Sequence, residues 1–300
     1  MKFNKIVSVD NTGLIASVRA KIMDLAEEVI LYEDFPTNNA EIISRIGDAD
    51  CVLVSWNTPI DKEVIESCKN IKYIGMCCSL YDESSANVDI DTARKNGITV
   101  LGVRDYGDEG LVEYIISELI GLLHGFGKHQ WKDESQELTK QKLGIIGLGA
   151  TGKMLAERAL AFGMDIFYYN RSRKLELEDM GIKYLEFDEL LREVDILSTH
   201  LPRNTFILNE EKFNVFGDNK IFINTSLGPT FDVSSFSQWI SNGDNYAIFD
   251  SVGMGWAYEE LKDYKNVIYT DKVSGWTKQA KERLSVKVLE NIEKYIKESV

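Results

Sequence analysis

Short apolar runs alternate with amphipathic stretches along almost the whole chain. In the first third, the apolar runs predict strands and the stretches between them predict helices. The predicted strands are residues 6–9, 29–32, 51–55, 73–76 and 99–102. The predicted helices are residues 14–24, 40–46, 62–67 and 89–95. Such alternation is typical of parallel strands joined by right-handed crossovers, with helices on both faces of the sheet.

The second half repeats this pattern. Its predicted strands are residues 143–147, 165–169, 196–199, 220–224, 247–250 and 267–269. A long helix at 112–123 and a polar, aperiodic segment at 129–141 precede them, and an amphipathic helix at 277–296 follows. Because 300 residues exceed one ordinary domain, we predict an α/β protein with two doubly wound parallel-sheet domains.

Composition excludes several classes of function. The formal net charge of −14 disfavours a nucleic-acid partner, because phosphate backbones need concentrated positive charge. The most apolar stretch is too short for a membrane span and is interrupted by Glu113 and Glu118. The four cysteines show no Cys-x-x-Cys spacing, and the three histidines are not at ligand spacing. We therefore expect reduced thiols, no metal site, no membrane attachment and a cytoplasmic protein.

A glycine-rich turn directly follows the strand at 143–147. It reads Gly147-Leu148-Gly149-Ala150-Thr151-Gly152 and leads into a helix predicted at 153–162. In a strand–turn–helix context, the first glycine allows the tight turn, the second lets the backbone approach a pyrophosphate, and the third permits close packing. The N–H groups at the start of the helix, at Ala150 and Thr151, are then free to bind phosphate. This turn predicts a dinucleotide site, the alternative being a purely structural turn.

Basic residues follow the next strand. An NAD site usually places Asp or Glu at the end of that strand, to bind the ribose hydroxyls. This chain has Asn170 there, followed by Arg171, Ser172, Arg173 and Lys174. A neutral amide does not repel a 2′-phosphate, and the residues after it supply charge and hydrogen bonds. We therefore expect NADP in preference to NAD, although a solvated basic loop would look the same.

These motifs, with others along the chain, resemble the D-isomer-specific 2-hydroxyacid dehydrogenases over nearly the full length. The further matching segments are Asn87-Val88-Asp89, Gly97-Ile98-Thr99-Val100, Thr199-His200-Leu201-Pro202, Ile223-Asn224-Thr225-Ser226, Asn266-Val267-Ile268 and Gly275-Trp276-Thr277-Lys278. The resemblance implies a flavodoxin-like substrate domain at 1–110 plus 277–300 and a Rossmann cofactor domain at 111–276. The active site would lie between them. It also implies a homodimer, and it places His200, Pro202 and Thr225 beside the cofactor, with a structural role for His200 in its turn.

The residues that catalyse the family's usual reaction are absent. The family reduces a 2-keto acid with an Arg that binds the carboxylate, a His that donates a proton and a Glu that tunes the His. The equivalent positions here are Leu227, Gly255 and Lys272. No histidine follows His200, and no arginine lies between Arg203 and Arg283, so a shifted register cannot restore the Arg or the His.

The remaining candidates for chemistry are few. Lys272 occupies the proton donor's position, where it would donate a proton, bind an anionic group or simply lie in an exposed loop. Asp250 matches the family's acidic residue near the nicotinamide. Arg104 is the candidate for holding a substrate carboxylate, or else forms a surface ion pair. An apolar pocket lining, or ordinary core and lid packing, is expected for Leu227, Met254, Trp256 and Tyr258.

Three hypotheses stay open at this level. The first is an NAD(P)-dependent oxidoreductase acting on a non-standard carbonyl or imine, with Lys272 in place of His. The second is a catalytically silent dinucleotide-binding sensor or partner-binding protein. The third is an ordinary 2-hydroxyacid dehydrogenase whose Arg and His come from unexpected segments. The sequence does not name the small-molecule substrate.

Overall fold

The computed structural model describes residues 2–83, 86–203 and 205–299. The chain forms two compact units, the first comprising Met1–Tyr106 with Thr277–Val300 and the second Gly107–Trp276. Each unit has a parallel sheet with helices between its strands. The predicted α/β class with two parallel-sheet domains is confirmed. The substrate and cofactor roles of the two domains remain predictions.

The first unit contains a five-stranded sheet in the order β2-β1-β3-β4-β5, which is flavodoxin-like. Its elements are β1 (Phe3–Ser8), α1 (Ala16–Ile22), β2 (Ala26–Leu31), α2 (Asn39–Ile46), β3 (Cys51–Val54), α3 (Lys62–Ser67), β4 (Tyr73–Ser79), α4 (Ile90–Lys95) and β5 (Thr99–Val103). All pairings are parallel. Every residue of β3 is buried, as expected for a central strand covered on both faces.

Side-chain caps determine where three of the crossover helices of this unit begin. Asn38, Asp61 and Asp89 precede α2, α3 and α4, and each accepts a hydrogen bond from a backbone N–H in the first turn. Such caps satisfy N–H groups that have no partner within the helix. The short polar residues between apolar runs therefore define both the turn and the start of each of these three helices.

The second unit contains a seven-stranded parallel sheet in the order β12-β11-β10-β9-β6-β7-β8. Its elements are α5 (Asp108–His124), β6 (Lys142–Ile146), α6 (Ala150–Ala161), β7 (Asp165–Tyr169), α7 (Leu175–Glu178), β8 (Lys183–Tyr184), α8 (Phe187–Glu193), β9 (Ile196–Thr199), α9 (Glu210–Phe216), β10 (Ile221–Asn224), α10 (Val233–Ile240), β11 (Tyr246–Phe249), α11 (Ser251–Met254), a 3-10 turn (Gly255–Ala257), α12 (Tyr258–Leu261) and β12 (Val267–Tyr269). The strand order reverses between β6 and β9. In such sheets, ligands bind outside the carboxyl ends of the strands at this switch point.

Two apolar clusters cover the two faces of this sheet. One contains residues of α5 and α6 packed on β6, among them Leu119, Leu155 and Ile145. The other is rich in aromatic residues and includes Phe222, whose ring meets that of Phe231 edge-on at 5.5 Å. The switch point therefore lies between two well-packed apolar layers.

The last helix, α13 (Lys278–Glu298), returns to the first unit. Its buried side chains include Leu284, Val288 and Ile292, which lie on one face. The hydroxyl of Ser285 accepts a hydrogen bond from the backbone N–H of Ile15 at 3.0 Å, which ties the helix to the start of the chain.

Two local differences from the sequence-based expectations have simple causes. The helix expected at 153–162 begins at Ala150, because its first turn is formed by the glycine-rich segment itself. The two-residue strand β8 is too short to produce a periodic signal. Across residues 2–83, 86–203 and 205–299, we find no helix whose length and apolar composition would allow it to cross a membrane.

Candidate functional site

The glycine-rich turn lies at the carboxyl end of β6, at the switch point. Gly147 has a φ of 91°, and a Cβ at this residue would lie 2.1 Å from the carbonyl oxygen of His200. A Cβ on Gly152 would lie 2.2 Å from the carbonyl oxygen of Gly147. Only glycine therefore fits at these two positions.

The space in front of α6 is open. A Cβ on Gly149, the residue before the helix, would meet no atom within 4 Å. The first N–H groups of a helix have no partner within it, so those of Ala150 and Thr151 face this space. The Thr151 hydroxyl points elsewhere and donates to the carboxylate of buried Asp108. Sequence reasoning missed Asp108, because it lies on another helix.

Asn170 links the glycine-rich turn to the basic loop. Its Oδ1 accepts from the N–H of Leu148 at 3.4 Å, and its Nδ2 donates to the carbonyl of Ser172 at 3.0 Å. Arg173 is ion-paired with Glu178. The side chains of Arg171 and Lys174 form no ion pair within the described part of the chain. Arg171 and Ser172 are exposed.

The ends of β9 and β10 form the other side of the switch point. The Ser226 hydroxyl donates to the carbonyl of Thr199 at 3.0 Å and accepts from the N–H of Leu201 at 3.1 Å. Pro202 is exposed just beyond. Thr225 is 4% exposed, and its hydroxyl is among the buried polar atoms that have no hydrogen-bond partner in the described residues. A buried hydroxyl in this state is expected to bind a ligand or water.

His200 is held by hydrogen bonds at the end of β9. Its backbone N–H donates to the carbonyl of Ile146 at 2.8 Å, and the ring Nε2 lies 2.9 Å from the Ser198 hydroxyl. Burial lowers the pKa of His200 to about 4, so the imidazole is neutral at pH 7. A neutral, hydrogen-bonded ring is suited to support the turn rather than to donate a proton.

The residues around the switch point fit a dinucleotide. Gly149 leaves room for a phosphate, α6 directs N–H groups into that room, and Thr225 offers a hydroxyl without a partner. Among the described residues, no group of His, Cys, Asp and Glu is arranged to hold a metal ion.

The three positions that the sequence resemblance pairs with the family's Arg, Glu and His follow β10, α11 and β12. Leu227 is 38% exposed. Gly255 has a φ of −54°, which any residue adopts, and a Cβ there would meet no atom within 4 Å. Lys272 is exposed and forms no ion pair with any residue in the described ranges. Its backbone is held, since its carbonyl accepts from the N–H of Ser251 at 3.1 Å.

Asp250 is fully buried and its carboxylate is occupied by protein donors. Oδ1 accepts from the N–H of Gly253 at 3.0 Å, at the start of α11. Oδ2 accepts from the N–H of Ser274 at 3.0 Å and from its hydroxyl at 2.6 Å. Burial raises the pKa of Asp250, and these hydrogen bonds oppose the rise. The structure thus shows Asp250 joining α11 to the loop of Lys272, and a cofactor contact by this residue stays a prediction.

The apolar candidates separate into core and surface. Met254 is 0% exposed and belongs to the aromatic core, which agrees with the core alternative expected for it. Trp256 and Tyr258 are partly exposed and pack against Phe231 and Tyr269, with ring centroids 5.2 Å and 5.1 Å apart.

In the first unit, Arg104 is hydrogen-bonded to the loop that follows β4. Its Nε and Nη2 donate to the carbonyls of Leu80 and Tyr81, both at 2.8 Å, and its guanidinium lies 5.6 Å from the centre of the Tyr81 ring. Sequence reasoning missed this arrangement and two exposed aromatic residues, Trp56 and Tyr81, which follow β3 and β4. A contact between Arg104 and a substrate carboxylate remains a prediction.

Comparison with known proteins identifies the family. Residues 120–273, about half of the chain, match the model of the D-isomer specific 2-hydroxyacid dehydrogenase NAD binding domain. The chain belongs to this family. A hydroxypyruvate reductase of Blautia hydrogenotrophica is 29% identical, with 93% of this chain and 92% of that protein covered. A glyoxylate reductase of Thermococcus litoralis is 27% identical, with 91% and 88% covered.

The solved structures include a similar protein with a bound cofactor. It is an acyclic imino acid reductase (Bsp5) in complex with NADPH and D-Arg, 26% identical, with a TM-score of 0.84 and 98% of this chain and 97% of that chain covered. Together, the relatives support an oxidoreductase function with a nicotinamide cofactor. The resemblance found from the sequence is therefore confirmed.

The open space at Gly149 generates a prediction about cofactor binding. Gly149→Ala places a methyl group where a pyrophosphate approaches, so we expect the Kd for NADPH and NADH to rise at least about tenfold. The melting temperature should change little, because the methyl meets no protein atom. Gly243→Ala, at another open glycine, is the control and should leave both quantities unchanged. Unaltered cofactor binding in Gly149→Ala would argue against a pyrophosphate at this turn.

The lowered pKa of His200 generates a prediction about stability. The unfolded chain binds a proton near pH 6.5, whereas native His200 does so only near pH 4, so stability falls as the pH drops between these values. The loss is up to about 3 kcal/mol, at about 1.4 kcal/mol per pKa unit. Urea unfolding from pH 7 to 4 should show a flatter profile in His200→Gln than in the wild type. His124→Gln is the control. If its profile were as flat as that of His200→Gln, the pH dependence of stability would not come from His200.

Proposed function

We propose that this chain is an NADPH-dependent reductase that acts on the C=N bond of a 2-imino acid. The observation that carries the proposal is the residue set at the three family positions, Leu227, Gly255 and Lys272. These positions offer no guanidinium to bind a carboxylate and no His–Glu pair. The residues around the switch point nevertheless still fit the cofactor.

The chemistry of the two possible bonds explains why this set favours an imine. When bound, the cofactor supplies a hydride. A 2-keto acid that gains a hydride develops an alkoxide, which needs a proton donor in the transition state. A protonated imine differs, because the electron pair of its C=N bond becomes the nitrogen lone pair and a neutral amine results. No proton from the protein is consumed in that step, so the absence of His and Glu is tolerated.

We assign to Lys272 the role of binding the carboxylate of the substrate. Its exposed ammonium carries three donors and forms no ion pair in the described part of the chain. Its backbone is tied to Ser251, and Ser274 two residues later is tied to Asp250. The loop therefore presents a positioned cation in place of the missing arginine, and Leu227, Trp256 and Tyr258 add apolar surface.

The known proteins support this proposal unequally. The imino acid reductase complex favours an imine and NADPH. The hydroxypyruvate and glyoxylate reductases favour a second candidate, ordinary reduction of a 2-keto acid. Leu227 weighs against that candidate, because an apolar side chain does not replace a bidentate guanidinium. A catalytically silent dinucleotide-binding protein is the remaining alternative.

The preference for NADPH over NADH is part of the proposal. It is supported by Asn170, which carries no charge to repel a 2′-phosphate, and by exposed Arg171 and Ser172. The proposal includes a reducing compartment such as the cytoplasm, which the free thiols of Cys51, Cys68, Cys77 and Cys78 support.

We also propose a homodimer formed through the second unit. An apolar groove of about 570 Å³ lies between α5 and α6. It is lined by Glu113, Ile116, Ser117, Ile120, Arg158, Ala161 and Phe162. Phe162 is 48% exposed at its edge, a position that a second copy would cover.

An assay with NADPH tests the proposed reaction. We expect turnover when a 2-keto acid is mixed with an amine that condenses with it, and at least about 100-fold less with the keto acid alone, a gap of about 2.7 kcal/mol. Lys272→Ala should raise KM at least about tenfold with a smaller change in kcat. Lys272→Arg should bring KM back close to the wild-type value. Equal rates without amine would support the 2-keto acid candidate. Cofactor binding without any turnover would support the silent protein.

The proposed dimer is tested by light scattering after size exclusion. Phe162→Glu introduces a charge into the groove and should shift the protein from dimer to monomer without lowering its melting temperature by more than a few degrees. Phe35→Glu is the matched control, since Phe35 has the same 48% exposure but lies in the first unit. A monomeric wild type, or a dimer that survives Phe162→Glu, would contradict an interface at this groove.

A further inference from the structure

A buried tyrosine lies beneath the basic loop. Tyr168 is 0% exposed and stands near the end of β7, two residues before Asn170. Its hydroxyl accepts from the backbone N–H of Lys174 at 2.7 Å and donates to Oε1 of Glu178 at 2.7 Å. Both hydrogen bonds connect the strand to the loop that follows it, so Tyr168 holds the far end of that loop in place.

Glu178 in turn determines the position of Arg173. The Nε of Arg173 donates to Oε1 of Glu178 at 3.0 Å, and Nη2 contacts the other carboxylate oxygen. The guanidinium lies 5.3 Å from the centre of the Tyr184 ring, which itself packs edge-on against Tyr168 at 5.4 Å. Arg173 and Tyr168 both lower the pKa of Glu178, so its carboxylate stays ionised at neutral pH.

The near end of the loop is held by Asn170. Its amide group connects the N–H of Leu148 in the glycine-rich turn to the carbonyl of Ser172. Residues 170–174 are therefore attached at both ends by side chains whose partners are all protein groups. A loop that is ordered before binding loses less conformational entropy when it binds a ligand.

Charge in this loop is divided between a neutralised pair and two cations. Glu178 offsets Arg173, while Arg171 and Lys174 form no ion pair in the described ranges. A 2′-phosphate carries a charge of about −1.5 to −2 at pH 7, which two cations balance. The exposed hydroxyl of Ser172 adds a hydrogen-bond donor between them.

We propose that Tyr168, Glu178 and Arg173 are positioning residues that order residues 171–174 for the 2′-phosphate of NADPH, and that Arg171, Ser172 and Lys174 are its ligands. Arg173, which the sequence pattern places among the ligands, instead serves as the partner that fixes Glu178. This inference rests on the proposed preference for NADPH and adds the residues that produce it.

Binding titrations followed by intrinsic fluorescence or calorimetry test the assignment, with NADPH and NADH compared for every variant. Arg171→Ala removes a ligand and should weaken NADPH at least about tenfold, with a change below about twofold for NADH. Tyr168→Phe removes both hydrogen bonds beneath the loop and should weaken NADPH about five- to twentyfold, again with little change for NADH.

Glu178→Gln is the second variant, because it keeps an acceptor for the Tyr168 hydroxyl and removes the charge that holds Arg173. We expect NADPH binding to weaken about two- to fivefold. Arg173→Ala should give the same loss of NADPH affinity. The variant that combines both changes should lose no more affinity than either single variant, since the two residues act as a pair. Thermal melts of each variant show that the fold is retained.

Each contrary result has its own meaning. A wild type that binds NADH as tightly as NADPH overturns both the cofactor preference and this inference. Preference for NADPH combined with equal losses for the two cofactors in Tyr168→Phe overturns the inference alone. Tighter NADPH binding in Glu178→Gln, or a larger loss in Arg173→Ala than in Arg171→Ala, would show that Arg173 is a phosphate ligand.

Discussion

Close backbone packing at the switch point is the constraint on which the second unit depends. The carbonyl of His200 at the end of β9 lies where a side chain on Gly147 would be, and the carbonyl of Gly147 lies where one on Gly152 would be. These contacts bring β6, β9 and the start of α6 together with no side chain between them. The open space in front of Gly149 lies directly beside these contacts.

The three positions that the sequence resemblance pairs with the family's Arg, Glu and His lie on the surface of the second unit. Leu227 and Lys272 follow β10 and β12, and Gly255 follows α11. A change of residue at these positions costs the fold little, because they are exposed or open, unlike the buried residues beneath them. Asp250 illustrates the contrast, since its carboxylate joins α11 to the loop of Lys272. The residues at these exposed positions can therefore vary without altering the close packing at the glycine-rich turn.

Sequence reasoning reached the fold and the glycine-rich turn because both depend on local signals. Apolar periodicity predicts strands and helices, and glycine spacing predicts a turn that only glycine can form. It placed Arg173 beside the cofactor and left Met254 between a pocket and the core, and it missed both the ion pair of Arg173 with Glu178 and the full burial of Met254. Neither outcome has a local signal, because burial and pairing depend on which elements pack together.

The sequence by itself determined the order of elements, the parallel sheets and the family, since each is a property of residue types and their spacing. Only the tertiary structure decided which polar groups have partners. Tyr168, Arg173 and Glu178 look unrelated along the chain, and they form one hydrogen-bonded unit because β7 and α7 bring them within a few ångströms. Hydrogen bonds and ion pairs act over such short distances that their partners are set by packing rather than by sequence position.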